Sequence, residues 1–589
     1  MQTWNKSGQR RVRRLFLVGL CLGLCTALPW FLDSDVVRAA NEPTAVISET
    51  PAEGAVTQHA LGKEPRFLLI GMGDSLTHGT MDATNNFINT FNAYLQRIAF
   101  SLASEVRLHF RQPFFDLQEK RIRPFLVPTN LAVDGADAFT VEGISYYKRA
   151  GTDESVVSPD LLADKLLPWR LKDKYDKVLY PINLLARQPM SQIDSAIWLL
   201  NRATSGAGVD RILVMFWVGN NDSGSAALGA GGSNPEFLPI PLDEIAPEIK
   251  PLLRLLLEFG RATGVVSFEP YTQAAIERNL TDLGDFVGQY DHLLTRLEAG
   301  SNSCGAEVDY LLLTLPYYSA VGYLFDSDDL EFYLQKINDD YLVPTSFKTV
   351  PPPGEPVSNP FQGDRVSLLT FGFMYVLLAS GYSVDYVNQI LEMEGQQQDG
   401  LVLSEEEQRF IMSRIDDFNE TIKTAAASRG PNFHLIDIGQ HLNDTFTGKT
   451  KIIVNDKVLS RKWIRGGGFS FDGVHPGYTG QSVVTNFIVE QINAALCLDA
   501  PLYDLSPIHA RDPYVDHDED GWAPGPNYEA SGLSELLFLF KDPDDTDLAV
   551  GVELPPDVWD LISDILLREI LDIPAIQAEA KRLGMSPLP

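Results

Sequence analysis

Cysteine and positive charge are both scarce in this chain of 589 residues. Its four cysteines form no CxxC or other metal-ligand spacing, so no cysteine-based metal site is legible. Cys21 and Cys25 fall in an N-terminal apolar run. That leaves Cys304 and Cys497 as one disulfide or as two isolated buried thiols. Lys and Arg number 47 against 79 Asp and Glu, a formal charge of −32. Such a balance argues against nucleic acid as a partner and against electrostatic adhesion to anionic lipid. None of the nine histidines sits in a metal-ligand pattern, no internal repeat is visible, and no GxSxG occurs.

What is present fits a folded protein with a large core: 44% hydrophobic and 10% aromatic residues. Residues 1–40 read as an export signal. Lys6, Arg10, Arg11, Arg13 and Arg14 precede the apolar run Leu15–Leu32, and Val37-Arg38-Ala39 offers small residues for cleavage. The expected location is therefore periplasmic or secreted, with an uncleaved membrane anchor as the alternative. Residues 41–65 read as a linker, 66–500 as the main domain, and 501–589 as an acidic C-terminal extension.

The main domain alternates strand and helix, the pattern of a parallel sheet covered on both faces. Five strands are expected: one beginning at Phe67, then Leu126–Val133, Ile212–Val218, Val308–Leu315 and Phe433–Ile438. Helical spacing is legible over 87–105, 191–204, 276–299 and 404–427, the last with Ser404 and Glu407 as a capping box. Two insertions, about 223–275 and 317–402, interrupt the pattern. The second holds the apolar run Val366–Tyr382, which reads as a buried helix and also as a lid or acyl-pocket wall.

Phe67–Gly79 (FLLIGMGDSLTHG) organises the rest. An apolar strand breaks at Gly73-Asp74-Ser75, which sets Ser75 at a sheet edge and at a helix N-terminus. Ligands of open α/β sheets bind at that edge, and the helix end offers N–H groups to an oxyanion. Asp74 and Ser75 also suit plain helix caps. Near the end of the domain stands Phe471-Asp472-Gly473-Val474-His475-Pro476. A nucleophilic serine needs a base, and the base needs a carboxylate to hold its tautomer. Asp472 and His475, three apart on one turn, can supply both, with Nε2 free to reach Ser75. Gly135 after the second strand and Asn221 after the third can add donors to the Ser75 N–H. His78 is a rival base but lacks a following carboxylate, and reads as a pocket wall or surface residue.

Gly73–Leu76 (GDSL), Gly135 within NLAVDGA, Gly219–Asp222 (GNND) and Asp472–Pro476 (DGVHP) together resemble the SGNH, or GDSL, hydrolase family. The resemblance spans about residues 66–497. It implies a flavodoxin-like three-layer α/β/α fold with a five-stranded parallel sheet. It also implies acyl-ester hydrolysis, with Ser75 as nucleophile, His475 as base, Asp472 as its orienter, and Ser75, Gly135 and Asn221 as oxyanion donors. No cofactor is required for that chemistry. The expected substrate is a small-molecule or lipid ester, with transient lipid-surface contact. A carbohydrate O-acetyl esterase and a non-catalytic surface binding module are the alternatives.

In the extension, Asp516, Asp518 and Asp520 alternate before Gly521 as in the first half of a calcium loop. Asn527 stands where the bidentate Glu belongs. A structural calcium ion and a solvated acidic turn are both open readings. Farther on, Val558, Leu561, Ile562, Ile565 and Leu566 mark an amphipathic helix.

Overall fold

The computed structural model describes residues 65–171, 173–204, 208–228, 273–302, 304–349, 362–379, 382–392 and 402–528, with 537, 540 and 541. The expected signal, the linker, most of the first insertion and the amphipathic helix near 558–566 lie outside the described residues.

In chain order the main elements are β1 (Arg66–Gly73), α1 (Ser75–His78), α2 (Phe87–Phe91), α3 (Tyr94–Leu102) and β2 (Arg107–His109). They continue with α4 (Gln192–Thr204), β3 (Arg211–Trp217), α5 (Asn220–Ala227), α6 (Leu283–Ser301), β4 (Glu307–Leu313), α7 (Glu405–Ser428), β5 (Phe433–Ile436) and α8 (Tyr478–Leu496). The five strands form one parallel sheet in the order β2-β1-β3-β4-β5. That is the flavodoxin-like order. Helices α4, α6 and α7 pack together in one layer, and α3 packs on α8 in the other. Residues 67–73 of β1 are all buried, as a strand covered on both faces requires. Helix α7 starts where the sequence places it, Ser404 and Glu407 closing a capping box.

Three expectations need correction. The edge strand is Arg107–His109 rather than Leu126–Val133. Strand β2 pairs only with Arg66–Leu68, and residues 129–133 then take over the same edge. Leu131 N–H donates to Gly71 O (2.8 Å) and Val133 N–H to Gly73 O (3.2 Å). Pro128 lacks an N–H and cannot extend that ladder backwards. The helix expected over 87–105 is two helices, because Asn92 and Ala93 turn the chain between α2 and α3. Cys304 and Cys497 are both free. Cys497 is exposed, so neither one disulfide nor two isolated buried thiols describes them.

The apolar run of the second insertion forms the strand Arg365–Ser367 and the helix Leu368–Ala379. Phe371, Met374, Leu377 and Leu378 are buried in a second core with Phe325, Tyr333, Trp463 and Trp522. Helix Ser327–Leu334 is held to the segment before Asp472 by charge. Asp326, Asp328 and Asp329 face Arg461, Lys462 and Arg465, and Lys462 bridges all three carboxylates. Trp463 Nε1 donates to Phe471 O at 2.8 Å, and Tyr323 N–H to Gly473 O at 2.9 Å. The insertion thus braces the Asp472 turn. Residues after 500 pack on the same body: Asp512 accepts from the Thr479 N–H and hydroxyl, each at 2.7 Å. Among the described residues no helix is long and apolar enough to cross a membrane.

Strands β1 and β3 end level, with Gly73 opposite Trp217. Gly73 has φ +148°, and a Cβ there would lie 2.3 Å from the Trp217 carbonyl oxygen. The Gln192 side chain also clamps its backbone, accepting from the N–H and donating to the C=O. Gly73→Ala is therefore expected to destabilise the fold by about 3 kcal/mol or more. The check is a urea unfolding midpoint that falls at unchanged m-value.

Candidate active site

The chain leaves β1 toward one flank of the sheet and β3 toward the other, so a crevice opens between their carboxyl ends. Asp74 caps α1 from that crevice. Its Oδ1 accepts the Leu76 N–H (3.0 Å) and its Oδ2 the Asn220 side-chain amide (2.9 Å), which ties the GDSL and GNND segments together. Burial raises the Asp74 pKa to about 6 against the lowering effect of both bonds. Ser75, the first residue of α1, is half-buried. Its N–H has no acceptor among the described residues, as expected of a first-turn donor.

The Asp472–His475 pair is fully formed. His475 Nδ1 lies 2.7 Å from Asp472 Oδ2, and Asp472 Oδ1 accepts the Val474 and His475 N–H groups, each at 2.9 Å. Burial pulls the His475 pKa down, but the charge and hydrogen bond of Asp472, helped by Asp134 and Asp74, outweigh it. The net shift is upward from 6.5. Asp472 moves the opposite way: burial raises its pKa, and His475 with the N–H donors brings it below the ordinary value. His475 Nε2 is buried and has no hydrogen-bond partner among the described residues. The Ser75 hydroxyl is accordingly not bonded to it.

A turn directly after α1 brings the pair to the crevice. Ala83 N–H donates to Asp472 Oδ2 at 2.9 Å, so this oxygen is held by both the imidazole and a backbone amide. Asp82 beside it accepts from Phe471 N–H (3.0 Å) and from the hydroxyls of Tyr514 (2.7 Å) and Tyr528 (2.9 Å). Burial, and then the charge of Asp472, lift its pKa to about 7. Asp82 and Ala83 both have positive φ, 52° and 56°. Two adjacent non-glycine residues in that region mark strain held by the surroundings.

Gly135 and Asn221 meet on the other wall. Asn221 Nδ2 donates to Ala136 O at 3.0 Å, which leaves its second amide hydrogen available. Gly135 has φ +74°, and nothing lies within 4 Å of where its Cβ would stand. Glycine is thus needed there for its backbone, and the space above it is open. The Gly135 N–H has no acceptor among the described residues. Asp222 holds this wall, accepting Ala138 N–H (2.9 Å) and the Thr281 hydroxyl (2.7 Å).

His78 is buried, and burial takes its pKa down to about 4 against the pull of Asp134. It is a buried ring, 5.2 Å from Phe115, and not a surface residue. Asp74, Ala83, Asp134 and Asn220 escaped the sequence reading as site residues. Asp74 and Asn220 lie inside the motifs themselves, so their adjacency to Ser75 and Asn221 was the available signal.

The described residues contain two acidic groups compact enough for a cation. The Asp326 group is filled by its three basic partners. The carboxylates of Asp516, Asp518 and Asp520 lie within 4.8 Å of one another. They are turned on their own loop: Asp516 accepts the Glu519 and Gly521 N–H groups and Asp520 that of Trp522.

No family model and no curated protein matches the chain. One solved structure does. It is the extracellular lipase from Streptomyces rimosus, 14% identical, with a TM-score of 0.27 over 73% of this chain and 99% of the lipase. So remote a likeness leaves the function to the geometry.

Proposed function

We propose that the protein is an exported serine ester hydrolase of the SGNH type, acting through a Ser75 acyl-enzyme. The observation that carries this reading is the Asp472–His475 pair. One carboxylate oxygen is fixed by the imidazole and by the Ala83 amide, and Nε2 is buried with no hydrogen-bond partner among the described residues. In the first step His475 Nε2 takes the Ser75 proton while Oγ bonds to the ester carbonyl carbon. The carbonyl oxygen becomes an oxyanion, for which the Ser75 and Gly135 N–H groups and the spare Asn221 hydrogen are the donors. The imidazolium then protonates the departing alcohol as the ester C–O bond breaks. Water, deprotonated by His475, attacks the acyl-enzyme and releases the acid with Ser75 restored. Asp472 stays ionised throughout and stabilises the imidazolium.

In this reading substrate choice rests on the surroundings of the half-buried Ser75 and on the apolar insertion behind the Asp472 turn. Hydrolysis of p-nitrophenyl esters from acetate to palmitate tests the reading. Preference for long chains marks a lipase, preference for acetate marks a carbohydrate O-acetyl esterase, and no cleavage by the wild type refutes the proposal. Asn221→Ala is expected to lower kcat by about 10²–10³-fold with KM little changed, the scale for one oxyanion donor. Steady-state kinetics on the best ester of the series checks this.

A further inference from the structure

An acidic chain of −32 carries a surface of cations and exposed apolar side chains beside the site. The stretch Lys120–Leu126 reads KRIRPFL, with three basic residues, Lys120, Arg121 and Arg123, and no acidic one. The stretch Lys165–Leu171 reads KLLPWRL, again without an acid. The fold pins the two together. The Arg121 guanidinium donates to Lys177 O and Val178 O, both at 2.9 Å, and to Leu126 O at 3.2 Å. The Phe125 ring rests on that of Tyr180 at 6.0 Å, and the Tyr180 hydroxyl reaches Leu166 O at 3.5 Å.

Within the two stretches the outward side chains are apolar or cationic; the acids at their ends, Glu119 and Asp164, are paired with Lys177 and Lys165. Trp169 is 76% exposed, Phe125 60% and Leu166 57%, with Leu167, Ile122 and Leu126 also exposed. Single exposed apolar residues are ordinary, but a group of this kind gathered about one buried ring, Tyr180, marks an interaction surface. Lys120, Arg123 and Arg170 are exposed among them and form no ion pair with another described residue. The face adjoins the crevice through Lys174, whose Nζ lies 3.7 Å from Asp134, the residue before Gly135.

We infer that this face docks on an anionic lipid–water interface. Aromatic and aliphatic side chains that enter the headgroup region, ringed by cations that meet negative headgroups, are the chemistry such a surface selects. The whole-chain charge opposes that adhesion, but screening confines each charge to about 8–10 Å at physiological salt, so the local sign governs contact. The docking gives the catalytic crevice its orientation to lipid and in that purpose rests on the ester-hydrolase reading; the contact itself does not.

The test is hydrogen exchange of the full chain with phosphatidylcholine vesicles, and with vesicles also containing phosphatidylglycerol. Expected is protection of peptides covering 120–126 and 165–171 with the anionic vesicles alone. A charge variant (Lys120→Gln, Arg123→Gln, Arg170→Gln) should lose about a hundredfold in vesicle affinity at these stretches, from roughly fivefold per cation. An apolar variant (Phe125→Ser, Leu166→Ser, Trp169→Ser) should lose the protection too. Both should hydrolyse a soluble short-chain ester at the wild-type rate, which shows them folded. Equal protection by both vesicle types, no protection at these stretches, or unchanged protection in both variants would overturn the inference. So would a concentration-dependent dimer that the variants break without any vesicle effect, since a second copy would then own the face. Protection in a wild type that cleaves no ester would refute the hydrolase reading and leave the docking intact.

Discussion

Ser75→Ala is expected to reduce kcat by about 10⁵-fold or more on every ester the protein cleaves, the scale for loss of a triad nucleophile. The fold should survive. The Ser75 hydroxyl has no hydrogen bond to another described residue, and the α1 cap belongs to Asp74. Alanine is moreover a good helix residue. The informative comparison is with Asp74→Ala. That variant loses the cap and the bond from Asn220, so it should lower the unfolding midpoint as well as the rate. A Ser75→Ala protein with wild-type stability and residual turnover only is the expected pair of results. Stability is read from urea unfolding and turnover from the p-nitrophenyl series.

Asp472→Asn has the second-largest expected effect, about 10³–10⁴-fold in kcat. An Asn amide at Oδ2 would face two donors, the His475 ring N–H and the Ala83 N–H, and could accept from them only through its oxygen. The imidazole then loses the tautomer that leaves Nε2 as a base. The pH profile separates this from a simple structural defect. His475 must be neutral to act, and its pKa is raised above 6.5 in the folded protein because Asp472, with Asp134 and Asp74, outweighs burial. In the wild type kcat/KM should therefore rise with pH and level off only above the ordinary imidazole range. In Asp472→Asn the largest raising contribution is gone while burial remains, so the acid limb should move to lower pH. An unmoved limb would show that another group controls the rate.

The parts of the fold and site that were legible are those whose causes are local. The run Phe67–Met72 reads as a buried strand because nothing polar interrupts it, and Gly73-Asp74-Ser75 reads as its end. The Asp472–His475 pairing follows from three-residue spacing on a turn, and the Ser404–Glu407 box from reciprocal capping. What was not legible depends on contacts far apart in sequence. Strand β2, Arg-Leu-His, is too short to show alternation, and its place is set by pairing with Arg66–Leu68. The more apolar 126–133 drew the assignment instead. Nothing in Asp82-Ala83 announces positive φ. That conformation is imposed by bonds to Phe471 and Asp472, nearly four hundred residues away. The second core was half visible in Val366–Tyr382, but its aromatic partners Trp463 and Trp522 lie in segments with no helical or strand period.

Mass spectrometry after treatment with a fluorophosphonate tests the central claim most directly, since it reads the nucleophile without assuming a substrate. The account predicts one phosphonyl adduct, on the peptide containing Ser75. It should be absent in Ser75→Ala and strongly slowed in His475→Ala, because the base that activates the hydroxyl is gone. No adduct, or an adduct on a different residue that persists in Ser75→Ala, would contradict the assignment of Ser75 and His475 to one catalytic site.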